Sequence, residues 1–217
     1  MFLDRSDAGR QLAAKLVHLK QDKPVVLALA RGGVPVGFEI AQTLDAPLDL
    51  VLVRKIGVPW QQELALGAVT DGGNPEVFID QRLVTELAIP EDYIKAETAR
   101  QIEEIERRRR VYGIGGEPLE IAGRTAIVVD DGVATGATMR VALRAARRRN
   151  AAQLILAVPV AAGDILACLR PEVDEAVCVE TPPDLGAIGF FYRDFHQLSD
   201  AEVRELLTRV AMPAERR

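Results

Sequence analysis

The sequence predicts an α/β fold with a mainly parallel sheet flanked by helices. Short runs rich in Val, Ile and Leu alternate with helical stretches along the 217 residues. Most of these runs are apolar at nearly every position, which is typical of parallel strands that helices cover on both faces. Because 48% of the residues are hydrophobic, the chain can bury a sizeable core, and its length favours one domain over residues 1–217.

The predicted strands follow one another at intervals that leave room for helices. They cover residues 25–30, 48–53, 125–130, 154–160 and 173–179. The first helix carries Leu12, Leu16 and Leu19, and the second has Pro35 in its first turn. Further helices are predicted over about 90–112, where the chain is highly charged, and over about 136–149. A capping box, Ser199 followed by Glu202, opens a C-terminal helix.

The segment 54–73 fits neither pattern. It is long for a connection inside a domain, and such loops are usually functional or mobile. It carries Arg54 and Lys55 at its start and Trp60, the single tryptophan of the chain, near its middle. Its glycines, Gly72 and Gly73 among them, allow hinge-like changes of the backbone. We therefore expect a mobile loop.

The stretch VVDDGVATGAT, residues 128–138, is the most informative motif. An apolar strand ends in the two carboxylates Asp130 and Asp131, and a loop of small residues then enters a helix. That loop consists of Ala134, Thr135, Gly136, Ala137 and Thr138. Backbone N–H groups at a helix N-terminus bind phosphate, and carboxylates accept hydrogen bonds from sugar hydroxyls. The motif therefore predicts a sugar-phosphate site at the end of a strand, although two acids that merely cap a helix are the simpler alternative.

This motif resembles the signature of the type I phosphoribosyltransferases, and the resemblance extends over most of the chain. It implies the fold of that family, with a small hood over the sheet. It further implies that residues 134–138 bind the 5′-phosphate of phosphoribosyl pyrophosphate (PRPP) and that Asp130 and Asp131 hold the ribose hydroxyls during catalysis. Mg²⁺ is the implied cofactor, held mainly by PRPP rather than by protein side chains, with Asp130 and Asp131 as the candidates for any direct contact.

Two basic segments match the layout of the same family. Arg31, Gly32 and Gly33 follow the first strand and resemble the loop that receives pyrophosphate. Arg54 and Lys55 resemble the start of the catalytic loop that closes over PRPP and excludes water. The alternatives are a plain turn with a surface arginine for the first segment and two solvated cations for the second.

An aromatic run near the C-terminus resembles the family's hood, predicted over about 181–197, which holds the nucleophilic base. Phe191 and Tyr192 are the candidates for stacking on the base, and Asp194 for accepting a ring N–H. A core strand explains the same aromatic residues equally well. Ala134 stands where many 6-oxopurine transferases have an aspartate, so any general base must come from elsewhere, such as Glu63 or Asp194.

The resemblance implies transfer of the 5-phosphoribosyl group from PRPP to a nitrogen nucleophile, a nucleobase first of all, with release of pyrophosphate. A transferase that uses water or another amine is one alternative. A PRPP-sensing regulator that binds nucleic acid or a protein is another, which the arginine runs 107–110 and 147–149 support and the net charge of −5 opposes. A homodimer is expected from the family, with the helix 90–112 as a contact surface.

The remaining features indicate the compartment. No apolar run approaches the roughly 18 residues that cross a bilayer, and Asp4, Arg5 and Asp7 interrupt any signal peptide. The two cysteines, Cys168 and Cys178, form neither a CxxC pair nor a zinc framework. We therefore expect a cytoplasmic protein without a membrane partner.

Overall fold

A computed structural model of the chain describes residues 1–71, 75–113 and 118–211. The predicted hinge residues Gly72 and Gly73 lie outside these ranges, and so does the side chain of Glu63, one predicted candidate for the general base. Within the described ranges, no helix combines the length and the apolar character that crossing a membrane requires.

The main sheet has five parallel strands, and it confirms the predicted fold class. They are β1 (Val25–Leu29), β2 (Leu48–Val51), β6 (Thr125–Val129), β7 (Gln153–Val160) and β8 (Glu175–Glu180), in the spatial order β2-β1-β6-β7-β8. All five coincide with predicted strands to within two residues at each end. The strands between β2 and β6 form a second, antiparallel sheet, made of β3 (Val53–Val58), β4 (Gln61–Thr70) and β5 (Val77–Ile79).

The described helices are α1 (Arg5–Leu16), α2 (Gly33–Leu44), α3 (Gln81–Glu86), α4 (Glu91–Tyr112), α5 (Ala137–Arg148), α6 (Gly163–Leu169) and α7 (Asp200–Ala211). One face of the main sheet is covered by α1 and α2 and the other by α5 and α6, whereas α4 packs on the antiparallel sheet. Val26 and Ile127 point toward α1 and α2, whereas Leu27 and Val128 point toward α5 and α6. This alternation explains the unbroken apolar runs, because each strand side chain is buried on one face or the other. Burying each such side chain contributes about 1.5–3 kcal/mol.

The segment 54–73, predicted as a mobile loop, contains the paired strands β3 and β4, which form a hairpin. Its mobility stays a prediction. Ile56 and Val58 of β3 and Leu66 and Val69 of β4 are buried in a core shared with α4 and α7. The turn at 59–60 exposes Trp60, whose side chain is 65% accessible. Closure of this hairpin tip over bound PRPP stays a prediction, and Trp60 fluorescence would report it.

The C-terminal helix begins as predicted. The backbone N–H of Ser199 donates to Oε2 of Glu202 at 2.7 Å, and the N–H of Glu202 donates to Oγ of Ser199 at 3.3 Å. Both bonds satisfy donors that the first helical turn leaves free. Val203 of α7 is fully buried, and the helix contacts α2 and α4.

Residues 181–197, the predicted hood, contain a short 3-10 turn, Ile188–Phe191, between irregular segments. The N-terminus pairs with this region: the N–H of Phe2 donates to the carbonyl of Phe191 at 2.8 Å, and the N–H of Arg193 donates to the carbonyl of Phe2 at 2.9 Å. The predicted hood is thus joined to the N-terminus, a contact that no local sequence pattern predicts.

Candidate functional site

Two loops meet at the carboxyl ends of the neighbouring strands β1 and β6. The loop after β1 holds Arg31, Gly32 and Gly33 and begins with a cis peptide bond between Ala30 and Arg31. The loop after β6 holds Asp130, Asp131 and residues 134–138. Ligands of open α/β sheets bind at this edge, so the topology places the two predicted ligand-binding segments side by side.

The glycines of the first loop are required by its contact with the second. A Cβ atom on Gly32 would lie 2.1 Å from Oδ2 of Asp131, and one on Gly33 would lie 2.6 Å from the carbonyl oxygen of Val129. Both distances are far shorter than any real contact. Only glycine therefore lets the two loops approach each other closely enough to form one site.

The small-residue loop leads directly into α5. Gly136, with a φ of 75°, precedes the helix and has no side chain that caps it. Ala134, Thr135 and Ala137 are exposed. The N-terminal N–H groups of a 12-residue helix thus face an open loop, which is the arrangement that attracts phosphate.

Asp130 and Asp131 are carboxylates withdrawn from water. Burial raises the pKa of Asp131, and burial together with the neighbouring Asp131 raises the pKa of Asp130 well above its usual value. Oδ1 of Asp130 accepts a hydrogen bond from the N–H of Asp131 at 2.8 Å. Ionising this pair is costly in the free protein, so hydroxyl donors from a ligand would stabilise it.

Arg5 is the functional neighbour that sequence analysis did not identify as a site residue. Its Nε donates to Oδ2 of Asp131 at 2.7 Å, and both side chains are nearly buried. The guanidinium also lies 3.9 Å from the ring centre of Phe195 and donates through Nη1 to the carbonyl of His196 at 2.9 Å. Arg5 therefore joins α1, the acid pair and the hood. It precedes Asp131 by 126 residues, so no local motif connects them.

The structure does not place Tyr192 where it would stack on a base. The residue is only 5% exposed, and its ring lies between Phe2, at 5.3 Å, and Phe195, at 4.9 Å. Its hydroxyl donates to the backbone carbonyl of Asp131 at 2.6 Å, and burial raises its pKa. The expectation of a base-stacking role is corrected to a structural one beneath the acid pair.

The other hood candidates occupy different environments. Phe191 is half-buried against the same aromatic cluster, whereas the adjacent Phe190 is 73% exposed. Asp194 is exposed and accepts from the side chain and backbone of His196, which lowers the pKa of Asp194. Contact of Phe191 and Asp194 with a base stays a prediction.

Arg54 and Lys55, predicted to act together, point in opposite directions because neighbouring side chains of a strand alternate. Nε of Arg54 donates to Oε1 of Gln101 on α4 at 2.9 Å. Lys55 instead lines a cavity of about 280 Å³ together with Ala137 and Thr138 of the small-residue loop. Of the two cations, the structure therefore brings only Lys55 to the predicted phosphate loop, and the expected catalytic placement of Arg54 is corrected.

Arg31 lies near the start of α7. Its Nη1 is 3.7 Å from Oδ1 of Asp200. This distance gives a weak ion pair between partly exposed groups, which an incoming anion can replace.

The arginine runs are largely paired with carboxylates. Arg107 and Arg108 both donate to Glu104 and hold the pKa of that carboxyl down, at about 2. Arg109 pairs with Asp71 and Arg147 with Asp174. This pairing favours a salt-bridged surface over the nucleic-acid contact that was the alternative.

Asp130 and Asp131 suit a shared magnesium ion rather than one held by protein alone. Across residues 1–71, 75–113 and 118–211, no group of three or more His, Cys, Asp or Glu side chains is placed to bind a metal. Mg²⁺ typically takes one or two carboxylates together with substrate phosphates and water. Two adjacent carboxylates beside a phosphate loop fit that requirement.

Comparison with known proteins agrees with this geometry. A family model described as a phosphoribosyl transferase domain matches residues 3–183. Two curated proteins of Mycobacterium tuberculosis, Rv0571c and MT0597, each provisionally named a phosphoribosyl transferase, are 44% identical to the chain over 209 residues. The match covers 96% of this chain but 47% of each relative, so the chain spans about half the length of the curated relatives it matches.

Solved structures support the same fold. The crystal structure of TT1426 from Thermus thermophilus shares 38% identity, with a TM-score of 0.82, over 96% of this chain and 98% of that one. A hypothetical protein from Neisseria gonorrhoeae, solved with bound ppGpp, has a TM-score of 0.50 over 96% of this chain and 98% of that one. At 14% identity, the second likeness shows the fold alone.

Proposed function

The chain belongs to the phosphoribosyl transferase family, and from that premise we propose that it transfers the 5-phosphoribosyl group of PRPP to a nitrogen nucleophile, with release of pyrophosphate. The observation that carries this proposal is the meeting of three parts at one sheet edge. They are the acid pair Asp130–Asp131, the open N-terminus of α5 and the glycine loop after β1. Together they match the sugar hydroxyls, the 5′-phosphate and the pyrophosphate of PRPP.

Each part has a distinct role in the proposed reaction. The N–H groups of residues 134–138, with the hydroxyls of Thr135 and Thr138, hold the 5′-phosphate. Asp130 and Asp131 accept hydrogen bonds from the ribose hydroxyls and orient the ring. The glycine loop and Arg31 receive pyrophosphate, and Lys55 adds positive charge near the phosphate loop.

Magnesium would be held by PRPP oxygens and by Asp130 and Asp131. When bound there, it supplies charge neutralisation for the pyrophosphate that leaves. The protein's own contribution is to fix the phosphoribosyl group between its loops and to keep water from the reacting carbon.

We propose a nucleobase as the nucleophile. The hood carries an aromatic ring open to solvent, Phe190, which offers a stacking surface beside Phe191. Because Ala134 has no carboxylate, no acid side chain stands at that point of the loop to take a ring proton. Asp194 is the described acidic candidate for that task, provided that His196 releases it.

Calorimetry with PRPP and MgCl₂ tests the proposal, followed by assays of pyrophosphate release with single nucleobases, with simple amines and with no acceptor. We expect saturable PRPP binding and release that depends on a base. Absence of saturable binding would refute the proposal. Binding without release under any condition would instead indicate a PRPP-sensing regulator, and release without an acceptor would indicate water as the nucleophile.

The adjacent residues Lys55 and Arg54 face different parts of the molecule, and replacing each in turn tests the site. Lys55→Ala is expected to lower kcat/KM for PRPP by roughly 10²-fold, the scale for loss of one group that stabilises charge in a transition state. Arg54→Ala serves as the matched control, because its side chain faces α4, and it should stay within about twofold of wild type. Steady-state kinetics with varied PRPP measures both. Equal losses in the two variants would contradict the assignment of the site.

We also propose a homodimer, in line with the family resemblance. The outward face of α4 is richer in charged than in apolar side chains, which makes it a poorer contact surface than the sequence suggested. Sedimentation equilibrium tests this directly, and a monomer at micromolar concentration would remove the proposal.

A further inference from the structure

We propose that a groove between β3 and α4 binds a small phosphate-bearing anion, at a site separate from the PRPP loops. This arginine groove is a cavity of about 440 Å³. Its lining residues are Arg54 on β3 and Arg100, Gln101, Glu103, Glu104, Arg107 and Arg110 on α4. The proposal concerns binding and does not depend on the enzymatic activity proposed above.

Helical spacing aligns the cations of the groove. Arg100, Glu104, Arg107 and Arg110 recur at intervals of three or four residues, so they lie on one face of α4. From Arg100 to Arg110 the helix rises by about 15 Å, at about 1.5 Å per residue. Arg54 enters this face from the side, where its Nε contacts Gln101. Guanidinium groups thus converge on one short cavity.

Two of the groove's four arginines, Arg100 and Arg107, are paired with carboxylates, and within the described ranges the other two are not. Glu97 pairs with Arg100, and Glu104 is shared between Arg107 and Arg108. Arg54 has a neutral amide as its hydrogen-bond partner. Among the described residues, neither Arg54 nor Arg110 has a carboxylate within ion-pair distance. The groove therefore carries unpaired positive charge, which a bound anion would neutralise.

Burial strengthens the case for Arg54. Its side chain is half-buried, and burial and the positive charge of Arg108 lower its pKa, although the negative charge of Glu104 opposes this shift. A partly desolvated guanidinium with cationic neighbours is stabilised by any anion that reaches it.

The chemistry of the groove favours a small polyphosphate over nucleic acid. The protein carries a net charge of −5, and the groove's arginines are confined to three turns of α4 and to Arg54 on β3. Arginine forks bind phosphate oxygens in pairs. In the part of the chain that the structure describes, the groove is lined by no aromatic ring on which a base could stack, so recognition rests on the phosphates. An anion bound by Arg54 would contact the residue that directly precedes Lys55 on β3. The side chain of Lys55 faces the PRPP loops.

Site-resolved NMR with sodium tripolyphosphate, without PRPP or Mg²⁺, tests the proposal on the full chain. We expect saturable shifts of the Arg54 Nε–Hε signal and of the backbone amides of Gln101 and Arg107. Loss of one charged hydrogen-bond donor should weaken affinity by about tenfold, so Arg54→Gln and Arg110→Gln should each do so. Arg82→Gln, which changes an exposed arginine on α3, is the matched control and should leave the affinity unchanged.

The outcomes separate this proposal from the proposed function. Tripolyphosphate shifts confined to residues 31–33 and 134–138 would show that only the PRPP loops bind it, and would overturn the proposal. An unchanged affinity of Arg110→Gln for tripolyphosphate would also overturn the proposal. Because Arg110 is exposed, this variant keeps the test valid if Arg54→Gln perturbs folding. A separate titration with PRPP and Mg²⁺ reports on the loops, so either proposal can fail while the other stands.

Discussion

Asp130→Asn is expected to weaken PRPP binding by roughly 10–10²-fold, the range for loss of one charged hydrogen-bond acceptor, while it raises the stability of the fold. The carboxylate is desolvated and lies beside Asp131, and both causes raise its pKa in the folded protein. At any pH above the unfolded pKa, this raised pKa makes the carboxyl destabilise the native state, and the neutral amide removes that penalty. Each kcal/mol gained should raise Tm by about 2–4 °C.

The pH dependence of this gain has a definite sign. Because the folded-state pKa of Asp130 is raised, the native protein takes up the proton before the unfolded chain does as pH falls. The stability advantage of Asp130→Asn should therefore be fully present above the raised pKa. It should shrink as pH falls through the raised pKa toward the unfolded value of about 3.9.

Calorimetry of PRPP binding and thermal unfolding across pH 4–8 measure the two effects. Asp22→Asn replaces an exposed acid outside the site, and it should change neither quantity. A variant Asp130→Asn with unchanged PRPP affinity would show that this carboxylate does not bind the ribose. A loss of stability at neutral pH would show that the carboxylate is well solvated or paired in the native state.

Arg5→Ala is expected to destabilise the fold by about 3–5 kcal/mol, the usual effect of removing one partner from a buried ion pair. The side chains of Arg5 and Asp131 are 10% and 12% exposed, so the Asp131 carboxyl would be left buried without its partner. The variant also loses the contact with Phe195 and the hydrogen bond to His196. Chemical unfolding by urea gives the free energy.

Arg10→Ala on the same helix is the matched control. Arg10 pairs with Glu39 at 3.3 Å but is 56% exposed, so its loss should change stability by less than about 1 kcal/mol. Adding Asp131→Asn to Arg5→Ala removes the unpaired carboxyl and should recover part of the loss. Equal effects of Arg5→Ala and Arg10→Ala would contradict the assignment of Arg5 as a buried anchor of the site.

The strands of the main sheet could be predicted from the sequence, because each strand is marked by residues that are neighbours in the chain. Strands such as β1 and β6 are apolar at successive positions, and the helix starts at Ser199 and Gly136 have their own capping or small-residue patterns. The acid pair and residues 134–138 were identified for the same reason. In this motif two acids follow the end of a strand, and a helix begins a few residues later. The relative positions of these parts are therefore set by a short stretch of chain.

The hairpin of β3 and β4 was missed because its pattern is broken. Gly57 and Gly67 interrupt the apolar residues, and the pairing shifts register between Ile56 and Val58. Burial of Ile56 and Leu66 depends on α4 and α7, which come from later in the chain. Tertiary packing therefore decided that this segment forms strands.

Which side chains meet at the site depends on packing between elements that are distant in the chain. Neighbouring residues Arg54 and Lys55 share a sequence signature, but the pleat of β3 sends them to opposite faces. Tyr192 became a buried support for Asp131, and Arg5 reached the same residue from the N-terminus. A sequence motif specifies chemistry along a few residues, whereas the direction of a side chain and its distant partner depend on how whole elements pack.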